Sequence, residues 1–411
     1  MRIMKRRSVA AINLGIALVS VVAALYLCEW VLKLRGVPTK LAPQTSHPAN
    51  YHEVRDKLEF RFDFRTNSQG LRYSEIPFEK EPGSRRVFVV GDSFTEGLGV
   101  EASERFTDLL EREFGAANAR VLFINGGLSG GGVVQYGRLF FDRGVKYQPD
   151  ALMICLFAND LAGMPDTGGE SEKRGKTGSP AARVFHALWP RIDTSIATIR
   201  ASRDYRKRTT TTDFVGDVTA EAVRRGIPGR RIDAWRESLP RDLVDAVNAG
   251  RFNASVLSRG LLYPEYWSDS IDLASTTAHV KWTNMTQVLS EMVDLSRKRD
   301  VQVAIVFVPA PILYDPRTHD PSDPWVRTGT VVKRRWLDEE TRIETKLRSW
   351  SQSAGVPFLD LTPVFREAVR TNDGLNYKLD GHWTAAGHAV AAEAIAKWLS
   401  TGQVYSFVGA H

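Results

Sequence analysis

Cysteine is nearly absent from this 411-residue chain, which has only Cys28, in an apolar N-terminal run, and Cys155, in an apolar strand-like run. Two thiols so far apart exclude a disulfide framework. A core of this size needs no covalent staples in any compartment, so the scarcity does not place the chain in the cytosol. A large excess of one charge is missing too. The 55 Lys and Arg against 48 Asp and Glu leave a formal +7, a mild bias toward anionic partners that no nucleic-acid motif accompanies. No internal repeat is present. Long apolar runs are confined to one segment, and 43% apolar with 25% charged residues is the composition of a folded globular chain, not of a multi-span membrane protein or a disordered one. The length exceeds one typical domain, so a large core with additions is expected.

The single long apolar run lies at the start. Arg2, Lys5, Arg6 and Arg7 precede an uncharged stretch from Val9 to Cys28, matching the roughly 20 residues that cross a bilayer as a helix. Trp30 is a candidate interfacial anchor, and the basic start favours an N-terminus inside and the bulk of the chain outside. The expectation is a single-pass signal anchor, with the main domain extracytoplasmic. A signal peptide cut near Ala23-Ala24 and a buried core helix are the alternatives.

Six segments follow from composition and periodicity: 1–35 anchor, 36–85 linker and N-terminal strand extension, 86–160 and 278–400 the two parts of a main domain, 161–277 an insert, and 401–411 a tail. Phe60, Phe62 and Phe64 alternate with Arg61 and Asp63, a half-buried strand followed by the turn residues 67–70. Strand runs at Arg86–Val90, Arg120–Asn125, Ala151–Phe157, Val301–Val308 and Pro357–Leu361 alternate with helical spacing at Phe106–Phe114, Val133–Asp142, Asn284–Lys298, Glu339–Ser353 and Ala385–Leu399. That alternation predicts an α/β fold with a parallel sheet covered on both faces. Reactive groups in such sheets gather at the carboxyl ends of the strands. The insert opens with a Gly- and charge-rich stretch, Gly163–Pro180, and mixes basic and aromatic residues around Trp189, Tyr205–Arg208, Arg230 and Arg231. It reads as a mainly helical cap, either a substrate-selecting lid or a solvated decoration.

Chemistry concentrates at the strand ends. Gly91-Asp92-Ser93 ends the first strand, where a sharp turn into a helix lifts a serine hydroxyl above the sheet. A serine there also serves simply as a helix N-cap. The G-x-S-x-G elbow is absent, and the loop lacks the lysine of a phosphate-binding P-loop. A serine nucleophile needs a base, a carboxylate to orient it, and N–H donors for the oxyanion. Asp380-Gly381-His382-Trp383 offers the carboxylate and imidazole, with Gly381 letting the backbone turn; the run Asn125–Gly130 offers a closely approaching backbone N–H; and Asn159 offers a side-chain amide.

This set resembles the SGNH, or GDSL-like, hydrolase family of esterases and lipases, over about Arg86–Asp160 and Val301–Leu399. The resemblance implies a three-layer α/β/α sandwich with a mainly parallel, flavodoxin-like five-stranded sheet. It implies Ser93 as nucleophile, His382 and Asp380 as its base and orienting acid, and an oxyanion hole from the N–H groups of Ser93 and Gly127 and the amide of Asn159. Two features depart from the usual pattern: Phe157 stands where many members have Gly, and the last block is D-x-H in place of D-x-x-H. The shorter form followed by Trp383 resembles the membrane-anchored or periplasmic branch of AlgX- and AlgJ-type polysaccharide acetylation proteins. Should Asp380 fail to reach His382, Asp373 is a substitute, or the pair works as a dyad.

His388 reads as a packing or capping residue; with Asp380 and His382 it alternatively forms a metal site. Asn159 is also a good turn residue, and Cys155 reads as an inert core thiol. The expected function is cleavage of O-acyl, notably O-acetyl, esters of an extracytoplasmic glycan through an acyl-enzyme, without cofactor or metal. O-acetyl transfer to a cell-surface polysaccharide and a non-catalytic glycan-binding or assembly role are the alternatives. Expected partners are an acylated glycan or other ester, the membrane through the N-terminal helix, and a polysaccharide modification or export machinery, with no nucleic acid.

Overall fold

The computed structural model describes residues 2–34, 47–116, 120–164, 188, 189, 192, 213–401 and 404–409. The chain divides into two compact units, Met1–Gln44 with Gly169–Thr210, and Thr45–Gly168 with Thr211–His411. In the first, helix Arg2–Leu34 contains the 18-residue apolar stretch Gly15–Leu32, long enough to cross a membrane and not buried against protein. Trp189 belongs to the same unit, its ring 5.7 Å from that of Tyr26. Most of the Gly163–Pro180 stretch, with Tyr205–Arg208, lies outside the described residues.

The second unit is built on five parallel strands, β3 (Arg85–Gly91), β4 (Val121–Gly127), β5 (Ala151–Phe157), β6 (Gln302–Val308) and β7 (Phe358–Asp360), in the order β4-β3-β5-β6-β7. All seven residues of β5 are buried. A parallel strand covered on both faces must be apolar throughout, which is why Ala-Leu-Met-Ile-Cys-Leu-Phe shows no alternation. Val89 pairs with Met153 and Met153 with Ala304, keeping the central strands in one continuous register. From β3 the chain steps outward to β4 and returns to β5 on the other side, so the order reverses between β3 and β5. A crevice opens at the carboxyl ends there, and the segments carrying Ser93 and Asn159 leave from those two strands. This is the α/β/α architecture anticipated from the strand–helix alternation.

The N-terminal extension is an antiparallel hairpin, β1 (His52–Asp56) with β2 (Arg61–Arg65). Phe60, Phe62 and Phe64 form its core with Leu98 and Tyr377. Buried Arg72 lies over Phe62 at 4.7 Å and donates to the carbonyls of Glu96, Gly97 and Val100. The extension thereby holds the loop that follows Ser93.

Within the insert, helices Phe214–Arg224, Gly229–Ser238, Arg241–Asn248 and Ala254–Leu262 share a core of their own around Phe214, Ile232, Trp235, Leu243 and Leu257. Trp235 Nε1 donates to the Leu257 carbonyl at 2.7 Å inside it. Trp325 and Leu379 pack against this second core, so the helical insert borders the same loops that carry Asp380 and His382.

Candidate active site

After β3 the chain enters a four-residue helical turn, Ser93–Glu96. Its cap is Asp92, whose Oδ1 accepts the Phe94 N–H at 2.9 Å. Capping by Asp92 leaves the Ser93 hydroxyl free for another partner, and that partner is His382, with Nε2 2.7 Å from Ser93 Oγ.

Asp380 and His382 sit on a tight loop whose Gly381 has φ +86°. That conformation strains any residue with a Cβ, and it turns the backbone so that the side chains two positions apart converge. His382 Nδ1 hydrogen-bonds Asp380 Oδ1. The loop is closed by Gly381 N to the Tyr377 carbonyl and Tyr377 N to the His382 carbonyl, each 2.9 Å. It is held further by Asn376 Nδ2 on the Gly381 carbonyl, also at 2.9 Å. The short D-x-H spacing therefore places the carboxylate on the imidazole directly. Asp373, the substitute considered from sequence, is exposed and faces Arg317 at 3.4 Å.

Electrostatics follow from burial. For His382, burial lowers the pKa, but the charge and hydrogen bond of Asp380 outweigh it and the net direction is upward. Burial raises Asp92 to about 6, against its bond from Phe94 N–H and the His382 charge. Asp160, which accepts the Tyr136 hydroxyl at 2.8 Å and the Phe157 N–H at 2.9 Å, is raised further by burial and by the neighbouring Asp92.

Glu96 is wholly buried, which alone would raise its pKa. Hydrogen bonding to His47, the charges of His47 and Arg55, and the Ser129 hydroxyl hold it instead at about 2. Its carboxylate accepts both the N–H and the hydroxyl of Ser129, at 3.1 and 2.5 Å.

The anticipated oxyanion donor Gly127 requires a correction. Its N–H donates to Asn125 Oδ1 at 3.0 Å, and an added Cβ would stand 2.1 Å from Glu96 N. Gly127 is glycine because β4 packs directly against the backbone of the Ser93 turn, and its donor is already engaged. Three residues later, Gly130 lines the cavity with Ser93 and Asn159. Within the glycine-rich run Asn125–Gly132 only the fold distinguishes the glycine packed under the Ser93 turn from those that face the crevice.

Asn159 lines the same cavity and hydrogen-bonds the Tyr266 hydroxyl. His388 lies in the core, stacked on Phe106 and edge-on to Trp383, with Nδ1 accepting the Phe106 N–H at 3.4 Å. Burial, then Arg105 and Arg72, push its pKa down to about 3. Burial likewise pushes the Cys155 thiol up to about 12, where it is inert.

The cavity has a volume of about 800 Å³ and runs from Ser93 and His382 to the insert residues Leu243 and Arg259 and to Arg317 and Trp325 on the short helical turns Pro316–His319 and Pro324–Arg327.

Residues 272–409 match the family model described as SGNH hydrolase-like domain, acetyltransferase AlgX. No curated protein matches the chain by sequence. Among solved structures, a catalytic mutant of Axe2, an acetylxylan esterase from Geobacillus stearothermophilus, aligns over 78% of this chain and 97% of its own at 12% identity and TM-score 0.38. The psychrotrophic esterase EstA from Pseudoalteromonas sp. aligns over 77% and 100% at 12% identity and TM-score 0.36. The lipase/acylhydrolase from Enterococcus faecalis aligns over 77% and 95% at 12% identity and TM-score 0.34.

Proposed function

We propose that this chain, similar to the SGNH hydrolases through residues 272–409, cleaves O-acyl esters of an extracytoplasmic glycan, the acyl group being acetyl, through an acyl-enzyme on Ser93. One observation carries the reading: the continuous hydrogen-bonded path from Ser93 Oγ through His382 to Asp380. Ser93 Oγ attacks the ester carbonyl as its proton passes to His382 Nε2. The carbonyl electrons move to oxygen, which the N–H groups of Ser93 and Gly130 and the Asn159 amide stabilise as an oxyanion. Collapse breaks the carbon–oxygen bond to the sugar, and the leaving hydroxyl takes the proton from His382. Water then attacks the acyl-enzyme, giving its proton to His382, and Ser93 is regenerated with release of the acid. Asp380 holds the imidazole tautomer and stabilises the imidazolium.

The match to an acetyltransferase domain model favours a second reading, in which a sugar hydroxyl replaces water as acceptor. In either, helix Arg2–Leu34 would hold the enzyme at the outer face of a membrane.

The test uses the full chain in detergent. Turnover of 4-nitrophenyl acetate should fall about a thousandfold or more in Ser93→Ala, and equal turnover in both proteins would sink the nucleophile assignment. Adding acceptor oligosaccharides with an acetyl donor and reading products by mass spectrometry separates water from sugar as acceptor.

A further inference from the structure

Arg259, on helix Ala254–Leu262, lines the cavity that holds Ser93. Its guanidinium carbon lies 4.0 Å from the ring centroid of Tyr266, 4.7 Å from that of Trp325 and 6.0 Å from that of Trp267. Among the described residues the guanidinium makes no hydrogen bond and no ion pair. Burial lowers its pKa from the usual arginine value, opposed only by Tyr266.

A half-buried cation without a counter-charge is costly. Stacking on aromatic faces recovers part of that cost, yet it leaves the N–H donors of the fork without a protein acceptor. The carboxylates of the same cavity other than Asp242 have partners of their own. Asp315 pairs with Arg317 at 2.7 Å, Asp320 accepts the Ser322 hydroxyl at 2.6 Å, and Asp323 caps the Trp325 N–H at 2.9 Å. Asp242 stands exposed.

The position of Arg259 connects it to the chemistry. The Tyr266 ring beneath it carries the hydroxyl bonded to Asn159. Trp267 beside it packs edge-on to Phe157, which stacks on Phe94 next to His382. An arginine fixed on this aromatic wall is a preorganised receptor for a planar anion.

We propose that Arg259 binds a carboxylate of the substrate, making the cavity selective for acidic esters. The inference rests on the ester-cleaving reading of the same cavity and adds the charge of what is cleaved. A carboxylate matches the flat fork of the one guanidinium stacked on the aromatic wall, while the other cations of the cavity, Arg317 (paired with Asp315), Arg327 and Lys378, stand off that wall among Asp242, Asp320 and Asp323. The carboxylate has two possible sources, a uronic acid in the glycan or the free end of a dicarboxylic acyl group.

The full chain in detergent is assayed as wild type, Arg259→Met, which keeps an apolar stack, and Arg259→Lys, which keeps the charge but not the fork. Substrates are 4-nitrophenyl acetate, 4-nitrophenyl hydrogen succinate, and acetylated oligosaccharides of glucuronic acid and of glucose. In Arg259→Met the ratio of kcat/KM for the carboxylate-bearing member over its neutral counterpart should fall about tenfold or more, with Arg259→Lys intermediate. A fall in the succinate pair assigns the acyl group as the source, and one in the oligosaccharide pair assigns the glycan. Equal losses on charged and neutral esters, or an unchanged ratio in both pairs, would overturn the proposal.

Calorimetric binding of succinate and of glucuronic acid oligosaccharide to Ser93→Ala, with and without Arg259→Met, separates this inference from the catalytic one. Arginine-dependent binding to Ser93→Ala, with a wild-type chain that turns over none of the esters, keeps the anion subsite and removes the esterase reading. Turnover of neutral esters with no such binding does the reverse.

Discussion

Glu59 Oε2 accepts the backbone N–H of Asp380 at 2.7 Å, and the same carboxylate accepts the Leu379 N–H at 3.0 Å. The hairpin outside the main sheet thus grips the loop that aims Asp380 at His382. Burial raises the pKa of Glu59, its bonds from Leu379 and Asp380 opposing this. We expect Glu59→Ala to lower kcat about tenfold with little change in KM, and Glu59→Gln, which keeps one acceptor, to lose less. A KM rise without loss of kcat would place Glu59 in substrate binding instead.

The imidazole must be neutral to take the proton of Ser93. Because Asp380 outweighs burial and raises the pKa of His382, kcat/KM should rise with pH through a midpoint above the ordinary histidine value of about 6.5. Asp380→Asn removes the raising charge, so the midpoint should move to lower pH while the maximal rate drops. A pH–rate profile of 4-nitrophenyl acetate turnover checks both. An unmoved midpoint in Asp380→Asn would assign the acid limb to another group.

Stability should fall on acidification in two stages. His388 has a folded pKa of about 3, below the 6.5 of an exposed imidazole. Its contribution is present above 6.5 and is lost as pH falls toward 3, because the unfolded chain binds the proton first. Glu96 has a folded pKa of about 2 against 4.5, so its contribution is lost as pH falls from 4.5 toward 2. In His388→Phe the denaturant midpoint should depend less on pH between 6.5 and 4.5, and in Glu96→Gln less below 4.5. Urea unfolding across that range, read by tryptophan fluorescence, measures both slopes.

Gly127→Ala should destabilise the protein by about 3 kcal/mol, the upper part of the usual range for overpacking a close contact. Its Cβ would meet Glu96 backbone in the Ser93 turn, so activity should fall along with the melting temperature. Gly126→Ala meets the Phe88 ring at 2.6 Å and the Val89 carbonyl oxygen at 2.9 Å, both on β3.

The sheet was legible because its strands are buried on both faces and carry uninterrupted β-branched and aromatic runs; Ala151–Phe157 and the helix Ala385–Leu399 have the limits expected from their spacing. Ser93, Asp380 and His382 could be singled out because each stands next to a glycine or acid at a strand end or loop. The partners that hold them could not. Glu59 and His47 come from segments distant in sequence from the site, and only the folded chain brings Glu59 to the Asp380 loop and His47 to Glu96 in the Ser93 turn. Gly127 and Gly130 lie three residues apart in one glycine-rich run, and nothing local distinguishes a glycine needed for packing from one facing a crevice. Arg259 belongs to an amphipathic helix where a basic residue usually marks the solvent side.

The most direct test of the account is covalent labelling of the full chain by a fluorophosphonate, with the adduct mapped by peptide mass spectrometry. The account predicts one adduct, on Ser93, formed much more slowly in His382→Ala and absent in Ser93→Ala. An adduct on another residue, or labelling that continues unchanged in Ser93→Ala, would contradict it.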